Sequence, residues 1–254
     1  MKKKKNNNTI IYIIILFILI GLFAFISTNR KTFYSIKDRT SQIEEEKKKD
    51  TDKIKTVGWI RVQGTNIDTP IISFTKLYDD RVDEIDREGY SYNYESKEVL
   101  FNKVNILGHN ILNLSAHPRV KDKKFTRFEG LMAFVYLDFA KENKYIQYTI
   151  DGENYLYKIY SVRLYKTYEK VETVIEKTYT KDEIIDYIKT IKKDSLYDYD
   201  VELNRDDNLI SLITCTRFFG ADYDNAAFVV DARMVRRGEK LRIILLKKQI
   251  IIKK

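Results

Sequence analysis

Apolar and polar positions change character three times along the chain. An unbroken apolar run from Ile10 to Ile26 comes first, followed by a charged stretch over residues 32–56 with no core face. From Val57 onward, short apolar runs alternate with turn residues. Val57 to Val62 and Ile67 to Ile72 predict two strands joined through the turn-like Gln63-Gly64-Thr65-Asn66. A further apolar run, Val104 to Gly108, ends just before His109. Phe125 to Ala140 has helical spacing, although Gly130 weakens a single continuous helix. Tyr145 to Ile150 and Tyr155 to Leu164 flank Asp151-Gly152, a strong hairpin signal.

Later in the chain, Thr180 to Ile191 predicts an amphipathic helix. Thr180 and Glu183 form a capping box, and Ile184, Ile185, Ile188 and Ile191 share one face. Leu209 to Thr214 and Phe228 to Val235 close the set as apolar strands. Many short strands, one inserted helix and no regular βαβ alternation predict a mainly β fold with helical additions, a largely antiparallel barrel or sandwich. The closing residues, Leu241 to Leu246 and Ile250 to Ile252 bracketed by lysines, read as an extra edge strand or as a contact with a membrane surface.

The first apolar run predicts an anchor. Seventeen residues reach the lower limit for crossing the hydrocarbon core. The exit, Phe23-Ala24-Phe25-Ile26-Ser27-Thr28, lacks the small-residue pattern of a cleavage site. Lys2 to Lys5 outweigh Arg30 and Lys31, which keeps the N-terminus in the cytoplasm and sends the rest outside. Residues 1–8 are then a basic tail, 9–28 a transmembrane signal anchor, 29–56 a charged helical stalk and 57–254 the working domain.

Composition narrows the function classes. At 44% hydrophobic and 13% aromatic the chain has ample material for a core, which excludes a disordered class. Its 19 tyrosines suit half-buried strands. A net charge of +9 invites nucleic acid, but the cations are dispersed and no zinc-finger spacing or RNP-like aromatic motif accompanies them. A solvated basic surface near an anionic envelope is the plainer reading. With one cysteine there is no internal disulfide and no cysteine-based metal cluster.

That cysteine, Cys215, sits where the run Ser211-Leu212-Ile213-Thr214 gives out, and His109 ends Ile106-Leu107-Gly108 in the same way. Strand ends hold side chains firmly while leaving them reachable. An imidazole beside a thiol favours the nucleophilic thiolate and can later protonate a leaving amine. By themselves these residues also fit an inert buried cysteine and a structural histidine.

The context adds a resemblance. Thr214-Cys215-Thr216 after an apolar strand resembles the TLxTC motif of sortases, and Leu107-Gly108-His109-Asn110 resembles their Gly-His motif. Val57-Gly58-Trp59-Ile60 and Ile67-Asp68-Thr69-Pro70-Ile71 are similar to the opening strands of that family. The helix at 181–195, Ser195 to Asp198, and Asp206-Asp207-Asn208 before the cysteine strand resemble class B sortases. The resemblance spans residues 57–237. It implies an eight-stranded β-barrel and a membrane-anchored cysteine transpeptidase that needs no cofactor. Cys215 would take up the Thr carbonyl of a surface-protein or pilin sorting signal, and an amine of peptidoglycan or of a pilin subunit would release it.

One departure stands out. The arginine expected at the start of the strand after the cysteine loop is replaced by Ala227. Arg233, six residues further on, would be roughly 20 Å away along a strand. Arg217 is the candidate substitute, as an oxyanion donor swinging in from the cysteine loop. His117, in Ser115-Ala116-His117-Pro118, reads as a surface-loop residue. A tethered cysteine hydrolase and a non-catalytic envelope scaffold remain the alternatives. The acceptor amine, the sorting motif and the oligomeric state are not encoded in any readable pattern.

Overall fold

A computed structural model of the chain describes residues 12–18, 36–52, 54–74, 91–93, 103–167, 180, 182–223, 225–239 and 245–247. Residues 1–35 and 36–254 form two separate units. In the first unit the described residues 12–18 are helical and every side chain is exposed, from Ile15 at 46% to Tyr12 at 71%. The rest of the anchor expected at 9–28 lies outside the described residues. Among the described residues no helix is long and apolar enough to cross a membrane.

The second unit is mainly β. Its strands are β1 (Ile54–Val62), β2 (Asp68–Phe74), β3 (Ser91–Asn93), β4 (Lys103–Leu107), β5 (Tyr145–Ile150), β6 (Glu153–Tyr165), β7 (Tyr197–Tyr199), β8 (Leu209–Thr216), β9 (Ala226–Met234) and β10 (Leu245–Lys247). They pair in the order β1-β2-β3-β4-β8-β9-β6-β5, and β5 returns to β1 to close the sheet. The barrel departs from eight full strands. Seven carry the wall, and β3 supplies three residues, enough for two paired positions with β2 and two with β4. Closure on that side is therefore thin.

Local chemistry explains most elements. Asp151 and Gly152 have φ of 51° and 76°, the left-handed pair that a two-residue hairpin needs, and they join β5 to β6. The capping box ahead of α3 (Glu183–Asp194) is reciprocal. Thr180 N–H donates to Glu183 Oε2 at 2.9 Å, and Glu183 N–H donates to Thr180 Oγ1 at 3.3 Å. Ile184, Tyr187, Ile188 and Ile191 form the buried face, with Ile185 half-buried beside them. Of the C-terminal run, residues 245–247 form β10, which pairs antiparallel with β7.

The helix expected over 125–140 is broken in two. Phe128–Val135 is a 3₁₀ helix, Tyr136 is extended, and α2 (Leu137–Glu142) follows. Gly130 packs so close to the 63–66 turn that a Cβ there would lie 2.9 Å from the Thr65 Cβ. Burial of Phe128, Leu131, Met132 and Phe134 decides the path of this segment.

Of the charged segment 29–56, residues 36–52 lie against the barrel. Helix α1 (Thr40–Lys47) buries Ile43 and carries ion pairs Lys47–Glu44 and Lys49–Glu46 along its outside. The Lys37 backbone exchanges hydrogen bonds with the Gln147 amide, 2.9 and 2.5 Å, and Arg39 pairs with Asp68. Asp50 accepts from both the N–H and the hydroxyl of Thr56. Side-chain amides and carboxylates on the barrel thus hold a segment that has almost no apolar face of its own.

Lys103, at the start of β4, is buried with its ammonium 4.6 Å from the Tyr187 ring centroid. Burial pulls its pKa down to about 7, against the opposing attraction of Asp231. A base whose pKa falls on folding costs stability wherever the unfolded chain is charged; the penalty is complete below about pH 7 and fades as pH rises toward about 10. Lys103→Met should therefore stabilise the domain at about pH 6 by on the order of 2 kcal/mol, with the advantage shrinking toward about pH 10. Denaturant midpoints measured across that range check this; an advantage independent of pH would contradict it.

Candidate active site

Strand β4 runs parallel to β8, in register from Lys103↔Leu209 to Leu107↔Ile213. The pairing continues one residue further, where Gly108 N–H donates to Ile213 O at 3.1 Å. His109 and Cys215 each stand two residues beyond the last paired position, on neighbouring strands about 4.8 Å apart. The structure therefore brings together the two residues that the sequence singled out. Cys215 is exposed and His109 half-buried.

Three features fix these strand ends. Gly108 is pressed against Phe128, and a Cβ there would lie 2.6 Å from the ring, so only glycine admits this approach. Phe128 N–H in turn donates to His109 O at 2.9 Å. Thr214, which alternates to the opposite face from Cys215, donates its buried hydroxyl to Gly108 O at 2.6 Å. The third feature is an asparagine brace. Asn110 Nδ2 donates to Cys215 O and to Asn113 O, both at 3.1 Å, and Asn110 Oδ1 accepts from Asn113 N–H. Asn113 continues the chain of contacts to the Arg119 and Glu129 backbone. Both asparagines are buried. Sequence reading quoted Asn110 within a motif and missed Asn113; their spacing of three, just past the histidine, was the available signal.

The cysteine loop is tied down as well. Arg217 N–H and Thr216 Oγ1 both donate to Leu114 O, at 2.9 and 3.3 Å. Gly220, at φ 115°, turns the loop. Phe218, Phe219 and Tyr223 stack edge-on in series, and the Lys166 ammonium lies 5.7 Å from the Phe219 centroid and 5.4 Å from that of Tyr223. Arg217 is exposed, and among the described residues its guanidinium makes no hydrogen bond or ion pair. His117 is exposed in its loop.

Ala227 is the register partner of Cys215, and Tyr165 is the next residue across. Ala227 is fully buried, and Tyr165 packs over Ala227, Val229, Ile213 and Leu107. The Tyr165 hydroxyl accepts from Arg163, whose guanidinium also grips Asp231 in a two-pronged pair at 2.8 and 2.9 Å. Arg233 lies opposite Leu209, at the far end of β8, and is bound to Glu239. The register thus agrees that Arg233 stands away from the cysteine. Among the described residues no cluster of His, Cys, Asp and Glu could hold a metal ion.

No family model matches the chain. A curated relative, Sortase B of Listeria monocytogenes serovar 1/2a, is 25% identical over 190 residues, covering 71% of this chain and 70% of the relative. The solved sortase B of Clostridium perfringens is 26% identical with a TM-score of 0.60, covering 76% of this chain and all of that one.

The chain is similar to the class B sortases in sequence and in fold.

These likenesses support a cysteine transpeptidase of the sortase type. Two further sortase B structures share the fold. A Staphylococcus aureus sortase B–substrate complex has a TM-score of 0.59 at 19% identity, covering 78% of this chain and 86% of that one. A sortase B complexed with triglycine has a TM-score of 0.60 at 17% identity, covering 85% and 92%. In this protein the brace from Asn110 to the cysteine carbonyl sets the spacing of the two strand ends. Asn110→Ala should lower kcat/KM by about 10–100-fold, because small displacements of reacting groups cost that much. The fold should lose about 1–3 kcal/mol. Peptide-cleavage kinetics alongside thermal melts check this; unchanged kinetics would show that the brace does not govern the site.

Proposed function

We propose that Cys215 is the nucleophile and His109 its acid–base partner in a sorting reaction. The observation that carries this is the parallel β4–β8 register, which delivers an exposed thiol and a half-buried imidazole to the same edge of the barrel. The Cys215 thiolate attacks a peptide carbonyl in a C-terminal sorting signal and forms a thioacyl bond. The amide C–N bond breaks, and the leaving amine takes a proton from His109. A primary amine then attacks the thioester, gives a proton to His109 and frees the thiolate. The substrate complex and the triglycine complex of the structural relatives support a peptide donor and an amine acceptor of this kind.

Arg217 is the candidate oxyanion donor: it follows the cysteine by two residues, and its guanidinium is exposed. The apolar run from Ile10 to Ile26, within the anchor expected at 9–28, supports a single-pass membrane protein with a cytoplasmic N-terminus and an extracytoplasmic catalytic domain. The acceptor is an amine of peptidoglycan or of a pilin subunit.

The test is capture of a thioacyl adduct on Cys215 with a panel of sorting peptides, read by mass, with and without triglycine or a lysine peptide. Cys215→Ala should give no adduct, and His109→Ala should lose about 10²–10⁴-fold in rate. Arg217→Ala should lose about 10²–10³-fold in kcat, while His117→Ala stays near the parent. An adduct that resolves only to water when amines are supplied would make the protein a hydrolase. Full activity of His109→Ala would overturn the assignment.

A further inference from the structure

The loop following His109 carries exposed aliphatic side chains beside a run of lysines. Ile111, Leu112 and Val120 are 56%, 45% and 44% exposed, far more than solitary aliphatic side chains in a packed loop need to be. They come from two stretches that the structure holds side by side. Asn113 Nδ2 donates to Arg119 O at 2.9 Å, Arg119 N–H donates to Asn113 Oδ1 at 2.7 Å, and the Arg119 guanidinium donates to Leu112 O at 2.9 Å. Tyr136, also partly exposed, stands at the margin with its hydroxyl donating to Pro118 O at 2.9 Å. Lys121, Lys123 and Lys124 follow Val120 and are all exposed. Over residues 111–127 the only carboxylate is Asp122, and it is already paired with Arg119.

We infer that this face docks on an anionic lipid surface. Ile111, Leu112 and Val120 enter the boundary between headgroups and acyl chains, and Lys121, Lys123 and Lys124 lie on the phosphates. Interfacial binding grows with the apolar area buried and with attraction to anionic headgroups, two contributions that this loop combines. Charge complementarity selects the partner: exposed aliphatic side chains followed by exposed lysines match a plane that is apolar below and negative above. An acidic protein would need no such exposed aliphatics. Ile111 is two residues from His109, so docking brings the strand ends that carry His109 and Cys215 toward the bilayer surface.

The experiment uses the full chain reconstituted in vesicles of neutral or anionic lipid that carry brominated acyl chains. Leu112→Trp supplies the probe, and the parent chain, whose single tryptophan is Trp59, supplies the background. Quenching of the Leu112→Trp signal is expected in anionic vesicles and not in neutral ones. Replacing Lys121, Lys123 and Lys124 together by Gln should weaken docking about a hundredfold and abolish the quenching. No quenching in anionic vesicles, or equal quenching in both lipids, overturns the proposal. So does quenching that is unchanged in the triple Gln variant, since the lysines would then not hold this loop at the lipid. All these residues are exposed, and circular dichroism of each variant confirms that the fold is intact.

Discussion

The parallel pairing of β4 with β8 is the constraint on which the rest depends. Antiparallel neighbours end at opposite edges of a sheet, so an antiparallel pair would have carried His109 and Cys215 apart. Parallel neighbours end at the same edge, but only when a long connection returns the chain to its starting side. Residues 108–208 are that connection. They hold the β5–β6 hairpin, the 3₁₀ segment and α3, all of which pack back on the barrel. On its other side β8 pairs with β9 over eight positions, Leu209↔Arg233 to Thr216↔Ala226, so the cysteine strand is held along its full length.

Register alone would leave two strand ends free to splay. The contacts around them are almost all from side chain to backbone or backbone to backbone. Thr214 reaches the Gly108 carbonyl, Asn110 the Cys215 carbonyl, and Arg217 N–H the Leu114 carbonyl. Such bonds specify position without adding charge beside the thiol. Most of the groups concerned are buried, where an unpaired donor or acceptor costs about 1–3 kcal/mol, so the brace is held in place by the cost of breaking it.

Features governed by neighbours in sequence were legible. Asp151-Gly152 gave the hairpin because its conformation is set by two residues, and Thr180 with Glu183 gave the helix start because the box closes within one turn. Alternation and apolar runs located β1, β2, β4, β8 and β9 to within a few residues. What depended on distant partners was not legible. Gly130 faces Thr65, so its effect on the 125–140 segment required knowing the fold. The docking of residues 36–52 rests on Gln147 and Asp68, remote polar residues that no hydrophobic pattern reports. The short β3 pairs with β2 and β4 through contacts that leave no periodicity in three residues. In the candidate site, the motif resemblance picked out Cys215 and His109, whereas Asn113, bonded to Asn110 and to the backbone of Arg119 and Glu129, belongs to no motif.

The row Cys215–Ala227–Tyr165 shows what a small residue beside the cysteine does to the site. A long side chain at 227 would occupy the outer surface next to the thiol; alanine leaves that space, and the Tyr165 ring lies over it, packed against Leu107, Ile213 and Val229. Burial raises the Tyr165 pKa despite the nearby Arg163 charge, so the phenol stays protonated. Arg163 is a guanidinium one rung from the row, but it is buried, holds Asp231 with two bonds and donates to Tyr165. Asp231 also accepts from Ser211, so this cation is neutralised and committed. Moving it toward an oxyanion would strand a buried carboxylate, a change that costs about 3–5 kcal/mol. Arg163 is thus committed within the sheet, and the proposed oxyanion role falls to the cysteine loop. Arg217 is the loop cation nearest in sequence to Cys215, and its exposure leaves it free to turn inward.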